Sequence, residues 1–132
     1  MRDDIVVVDA NVILKLYLDE EGTEAAERLF DGNRYLFAPD FIVDEVLSVL
    51  VRNVPKKLTK AKLDEALGHV MLAISHLVPN DNLRTDAMAL ARELSHSYYD
   101  CLYLAPALRW DAPLVTADGK LLGKIDGSAY RG

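Results

Sequence analysis

Four acidic residues stand where water is not the obvious partner. Asp9 follows the apolar run "IVVV" directly and precedes another in "NVIL". Glu45 lies in "FIVDEVLSVLVRN", where helical spacing places Ile42, Glu45, Val49 and Arg52 along one side and Val46 and Leu50 deeper on the apolar face. Glu45 therefore borders the buried stripe, with Ser48 beside it, while Asp44 points well away. Asp100 is the only charged residue in "YYDCLYLAPALRW" before Arg109, and Tyr103, Leu104 and Ala107 fall on its face. Asp118 sits in "TADG". Each has an ordinary alternative. Asp9 or Asn11 can cap the helix that follows. Glu45 can be hydrated or pair with Arg52. Asp100 can satisfy backbone donors in a first helical turn, and Asp118 can belong to a plain Asp-Gly turn or a cap. If the four converge, the chemistry is that of hard cations, which prefer oxygen ligands and keep several waters. Clustered carboxylates repel one another and raise each other's pKa, and a divalent ion relieves that repulsion.

Other chemistries find no comparable support. His69, His76 and His96 lack a compact ligand motif and read as exposed or core-edge residues. Cys101 has no evident activating partner and reads as core. There is no G-x-S-x-G for a serine hydrolase and no glycine-rich phosphate loop.

The elements that must position these carboxylates follow from periodicity. Ile5 to Val8 is a continuous β-branched run, as in a strand buried on both faces. Helical spacing runs from Val12 to Leu18, and Thr23 to Phe30 reads as a second helix capped by Thr23. "YLFA" is a short strand, after which Pro39 and Asp40 open the Glu45 helix. Thr59 caps an amphipathic stretch to about Ile74, with Leu63, Leu67, Val70 and Ile74 as its apolar stripe. "HLVP" is a third short strand. Two helices, "NLRTDAMALAREL" and "YYDCLYLAPALRW", follow, then a strand in "APLVTAD"; "LLGKIDGSAY" holds a short helix and an edge strand. This alternation predicts an α/β fold with a mostly parallel sheet and helices on both faces. Ligands in such sheets sit at the carboxyl ends of the strands. Asp9 and Asp118 both fall at strand ends, so they can share one rim.

The totals bound the reading. The chain has 132 residues, expected to form a single domain over 1–132. Hydrophobic residues make up 51% and charged residues 27%, a globular balance. The net charge of -6 is unlike that of a duplex-coating nucleic-acid binder, so any nucleic acid must be met by local cations or metal ions. A single cysteine excludes an internal disulfide. No membrane span or signal segment is evident, and a cytoplasmic protein is expected.

The order of "VVVDANVIL", "APDFIVDEVLSVLVR", "YYDCLYLAPAL" and "APLVTAD" resembles the PIN-domain family of metal-dependent ribonucleases, across nearly the whole chain. Size and single-domain form resemble its toxin branch, the VapC-type toxins of prokaryotic toxin–antitoxin pairs. The resemblance implies a three-layer α/β/α sandwich and an endoribonuclease that uses Mg²⁺ or Mn²⁺. By it, Asp9, Glu45, Asp100 and Asp118 form the acidic quartet, with Asp9, Asp100 and Asp118 as metal ligands and Glu45 positioning or activating water. Asn11, Thr116 and Ser48 stand at supporting positions. An antitoxin and a second copy of the chain are the implied protein partners. Candidate RNA contacts are Lys15, Arg52, Lys56 and Lys57; "KKLTKAK", which adds Lys60 and Lys62, has the highest basic density but also reads as a solvated helix start. The chain departs from the family at Pro106, inside a helix, where a missing N–H predicts a kink, and at Ser48, often asparagine in the toxin branch. Two alternatives remain: a non-catalytic module of the same fold that binds RNA or protein, and a haloacid-dehalogenase-like phosphatase, whose strand-D-x-D-x-V opening "VVVDANV" approaches.

Overall fold

The computed structural model describes residues 5–18, 34–52 and 59–116. The expectations for Thr23 to Phe30, Lys56, Lys57, Asp118 and "LLGKIDGSAY" lie outside them. Among the described residues the order is β1 (Ile5–Val8), α1 (Ala10–Leu18), β2 (Tyr35–Pro39), α2 (Phe41–Arg52), α3 (Lys60–Ala73), β3 (His76–Val78), a 3₁₀ turn (Asn80–Asn82), α4 (Arg84–Leu94), α5 (Tyr98–Arg109) and β4 (Leu114–Val115).

The four described strands form one all-parallel sheet in the order β3-β2-β1-β4. β1 pairs with a strand on each side, which explains its unbroken apolar run: Ile5 through Val8 are all buried. Side chains alternate between the two faces. Val6, Val8, Leu36 and Ala38 pack into a core with residues of α1, α2 and α3. On the other face, Phe37 of β2 meets Trp110, just past α5, edge-on at 5.2 Å. A second core joins Val78 of β3 to Ala87, Leu90 and Leu94 of α4 and to Leu102, Leu104 and Ala105 of α5. The result is the three-layer α/β/α sandwich.

The local signals work as physical chemistry requires. α2 buries Ile42, Val46 and Leu50 along one stripe. Thr59 caps α3, its hydroxyl accepting from the Lys62 N–H at 3.2 Å. The start of α2 is closed from a distance: Asn80 Oδ1, beyond β3, accepts from the Phe41 N–H at 3.1 Å. One expectation changes. The α3 stripe is narrower than predicted, because Ala66 and Val70 are buried but Leu67 is exposed; α3 contacts chiefly α2, so one neighbour covers only part of it. α5 runs through Pro106 to Arg109 without a break. The ring is fully buried there, and the Trp110 N–H closes the helix on the Pro106 carbonyl at 3.0 Å.

Candidate active site

The site stands at the carboxyl end of β1. The Asp9 N–H donates to the Val115 carbonyl at 3.3 Å, continuing the ladder between β1 and β4. Its side chain, only 6% exposed, would be costly without partners. One carboxylate oxygen accepts from the Val12 N–H at 3.1 Å, which is the helix-cap role considered for Asp9. The other accepts from the Thr116 hydroxyl, just past β4. Asp9 thus both caps α1 and stands at the rim. Asn11, in the first turn of α1, is exposed, and the support for Asp9 comes from Thr116 and the Val12 amide.

Glu45 comes from α2, half-buried at the edge of its apolar stripe. Tyr103 of α5, buried to 3% exposure, donates its hydroxyl to Glu45 Oε1. Burial pushes the Glu45 carboxyl above its ordinary range; the Tyr103 hydrogen bond works against that, and the charges of Asp100 and Asp9 add to the rise. The Tyr103 hydroxyl is itself held well above the usual phenol range, first by burial and then by the Glu45 charge. Asp9, Glu45 and Asp100 therefore share one electrostatic neighbourhood, although three separate elements carry them.

Asp100 lies in the first turn of α5 with its side chain 36% exposed. Its partner is His96 Nε2 at 2.8 Å, and the His96 side chain is only 7% exposed. This contact is four residues long but not helical, because His96 precedes α5. It depends on the end of α4, where Ser95 adopts a left-handed conformation (φ 51°) and the His96 N–H reaches back to the Ala91 carbonyl at 3.0 Å. Beside Asp100, Tyr99 stacks on Phe41 of α2 with ring centroids 5.1 Å apart, clasping the two helices that carry Glu45 and Asp100.

The remaining candidates are more dispersed. Ser48 is exposed, and its carbonyl accepts from Arg52 Nε at 3.2 Å, so Arg52 bonds its own helix rather than Glu45. Lys15 is half-buried on α1. Cys101 is buried, as expected of a core residue. Tyr103 and His96 are the site residues that sequence reasoning missed. Tyr103 was legible as a neighbour of Asp100 one turn on, but its bond to Glu45 was not.

A family model described as PIN domain matches residues 6–127. The chain belongs to the PIN domain family. A curated relative is Ribonuclease VapC3 of Pyrobaculum aerophilum, 31% identical over 124 residues, which cover 91% of this chain and 94% of the relative. This PIN domain offers hard oxygen donors that suit a divalent cation, and the raised Glu45 carboxyl reflects in part the mutual repulsion that such an ion relieves. Among the described residues alone, no three acidic, histidine or cysteine side chains close into a complete set of ligands.

Proposed function

We propose that this PIN domain is a metal-dependent endoribonuclease, the toxin of a toxin–antitoxin pair. The observation that carries the reading is a relative over most of the chain that is named a ribonuclease, and the charges of Asp9 and Asp100 acting together on the half-buried Glu45 carboxyl support it. Asp9, Asp100 and Asp118 would hold Mg²⁺ or Mn²⁺. When bound, such an ion lowers the pKa of a coordinated water and neutralises charge on the phosphoryl oxygens.

The chain's own residues do the rest. Thr116 and the Val12 amide hold both Asp9 oxygens in place. His96 holds one Asp100 oxygen and leaves the side chain facing partly outward. Tyr103 fixes Glu45 Oε1, so the other oxygen is the one available to orient the attacking water and accept its proton. A carboxyl lifted by burial is a better base than an exposed one once it is ionised. In this reading the leaving oxygen takes its proton from solvent.

The reading entails an antitoxin partner, a homodimer and a cytoplasmic setting. No helix among the described residues is long and apolar enough to cross a membrane. Purified cellular RNA incubated with the protein tests the activity: cleavage with Mn²⁺ that stops with EDTA is expected. Full cleavage in excess EDTA after extensive dialysis refutes the metal mechanism, and no cleavage with either ion refutes the ribonuclease reading in favour of a binding module.

A further inference from the structure

A groove of about 670 Å³ runs beside the candidate site, lined by Arg84, Met88, Ala91, Arg92, His96 and Tyr98. The first four fall on one face of α4, spaced by four, seven and eight residues. His96 forms the end wall, and the Nε2 of the same ring lies 2.8 Å from Asp100 Oδ2. The groove is therefore one side chain, His96, away from the Asp100 carboxylate.

Its chemistry contrasts with the net charge of the chain. A chain of net charge -6 must meet a polyanion through local cations, and this groove carries two arginines with no carboxylate in its lining. Arg92 is exposed and makes no ion pair with a described residue. Arg84 pairs with Asp81, but both side chains are well exposed, so a phosphate can take the place of that carboxylate at little cost. Between the arginines Met88 is 59% exposed. At the His96 end, Tyr98 presents an aromatic ring, packed edge-on to Tyr99 at 5.6 Å. Cations spaced along a groove with an aromatic surface are what single-stranded nucleic acid needs: phosphates meet guanidinium groups, and an unstacked base lies on an aromatic ring. The two arginines are eight residues apart, about 12 Å along the helix, a length of three to four stacked nucleotides.

We propose that the Arg84–Arg92–Tyr98 groove is the track for the single-stranded RNA flanking the scissile phosphate. The proposal deepens the ribonuclease reading and rests on it. It moves the main RNA contacts away from the "KKLTKAK" segment and onto α4.

The test uses a fluorescein-labelled, mixed-sequence single-stranded RNA of a dozen nucleotides. Binding is followed by anisotropy and cleavage by gel in Mn²⁺, for the parent, for R84A/R92A and for K60A/K62A. All four residues are exposed, and melting curves confirm that each variant is folded. The expected result for R84A/R92A is a Kd and KM raised by about tenfold at low salt with kcat within about twofold, and a salt dependence of binding flatter by about 1.4 in log–log slope, two contacts at ~0.7 each. K60A/K62A should stay near the parent. An active parent whose Kd, KM and salt slope are unchanged in R84A/R92A overturns the groove alone, as does a larger loss in K60A/K62A. A parent that neither binds nor cleaves the RNA overturns the groove together with the ribonuclease reading.

Discussion

Tyr103→Phe removes one oxygen and nothing else from the centre of the site. The hydroxyl donates to Glu45 Oε1 from a side chain that is 3% exposed. A hydrogen bond to a charged group is worth about 1.5–3 kcal/mol. Glu45 is only half-buried, so water can replace part of the loss, and phenylalanine leaves no buried hydroxyl unpaired. The net cost at neutral pH is therefore about 1–2 kcal/mol, or about 3–8 °C in Tm for a domain of this size. The pH dependence has a definite sign. The folded-state Glu45 carboxyl is raised above its unfolded value of 4.5, so its favourable contribution is fully present below that value and is lost as pH rises through the folded pKa. The Tyr103 bond opposes that loss by stabilising the ionised form. Without it the variant should lose more stability on the alkaline side, while near pH 4, with Glu45 protonated in both proteins, the difference should shrink to about 0.5 kcal/mol. Thermal melts of both proteins in EDTA, at about pH 4 and about pH 8, measure this. A Tm difference equal at both pH values, or absent at the higher one, refutes the reasoning. A double-mutant cycle with Glu45→Gln should return a coupling of about 1 kcal/mol; a coupling of zero would assign the loss to packing.

Asp100→Asn should leave the fold intact and lower cleavage by about 100-fold or more, because the site loses a charge but keeps its shape. In EDTA its Tm should match or exceed the parent's, since repulsion on Glu45 falls; a lower Tm with cleavage intact would remove Asp100 from the active site. Thr116→Val, nearly isosteric, should cost about 1 kcal/mol by urea titration and reduce kcat about tenfold, because Asp9 loses the donor on one oxygen; unchanged kcat would make that contact purely structural. Asp111→Gly, at an exposed left-handed residue (φ 49°) that makes none of the site contacts described, should stabilise by about 0.5–1 kcal/mol with cleavage unaffected. A fall in the urea midpoint would count against backbone strain at that turn.

What the sequence determined by itself is whatever acts within a few residues along the chain. The β-branched run Ile5 to Val8 is a strand, the Ile42–Val46–Leu50 stripe is the buried face of α2, and Thr59 caps α3. Each follows from the period of one element or the reach of one side chain to a neighbouring amide. The position of Asp9 at a strand end and of Glu45 at the border of a stripe were legible on the same grounds. The left-handed turn at Ser95 was not, because glycine is the usual signal for that conformation and serine adopts it here; the His96–Asp100 contact depends on it. The rest belongs to the tertiary structure. Asp9 meets Thr116 across 107 residues, Glu45 meets Tyr103 across 58, and Asn80 closes α2 across 39. None of these pairings has a local signature. The first and third exist because strand order β3-β2-β1-β4 sets β4 beside β1 and β3 beside β2, and the second because α2 and α5 meet at Glu45 and Tyr103. That order is chosen by how the whole chain buries its two helical layers against one sheet, a sum over many weak contacts that no short stretch of sequence contains.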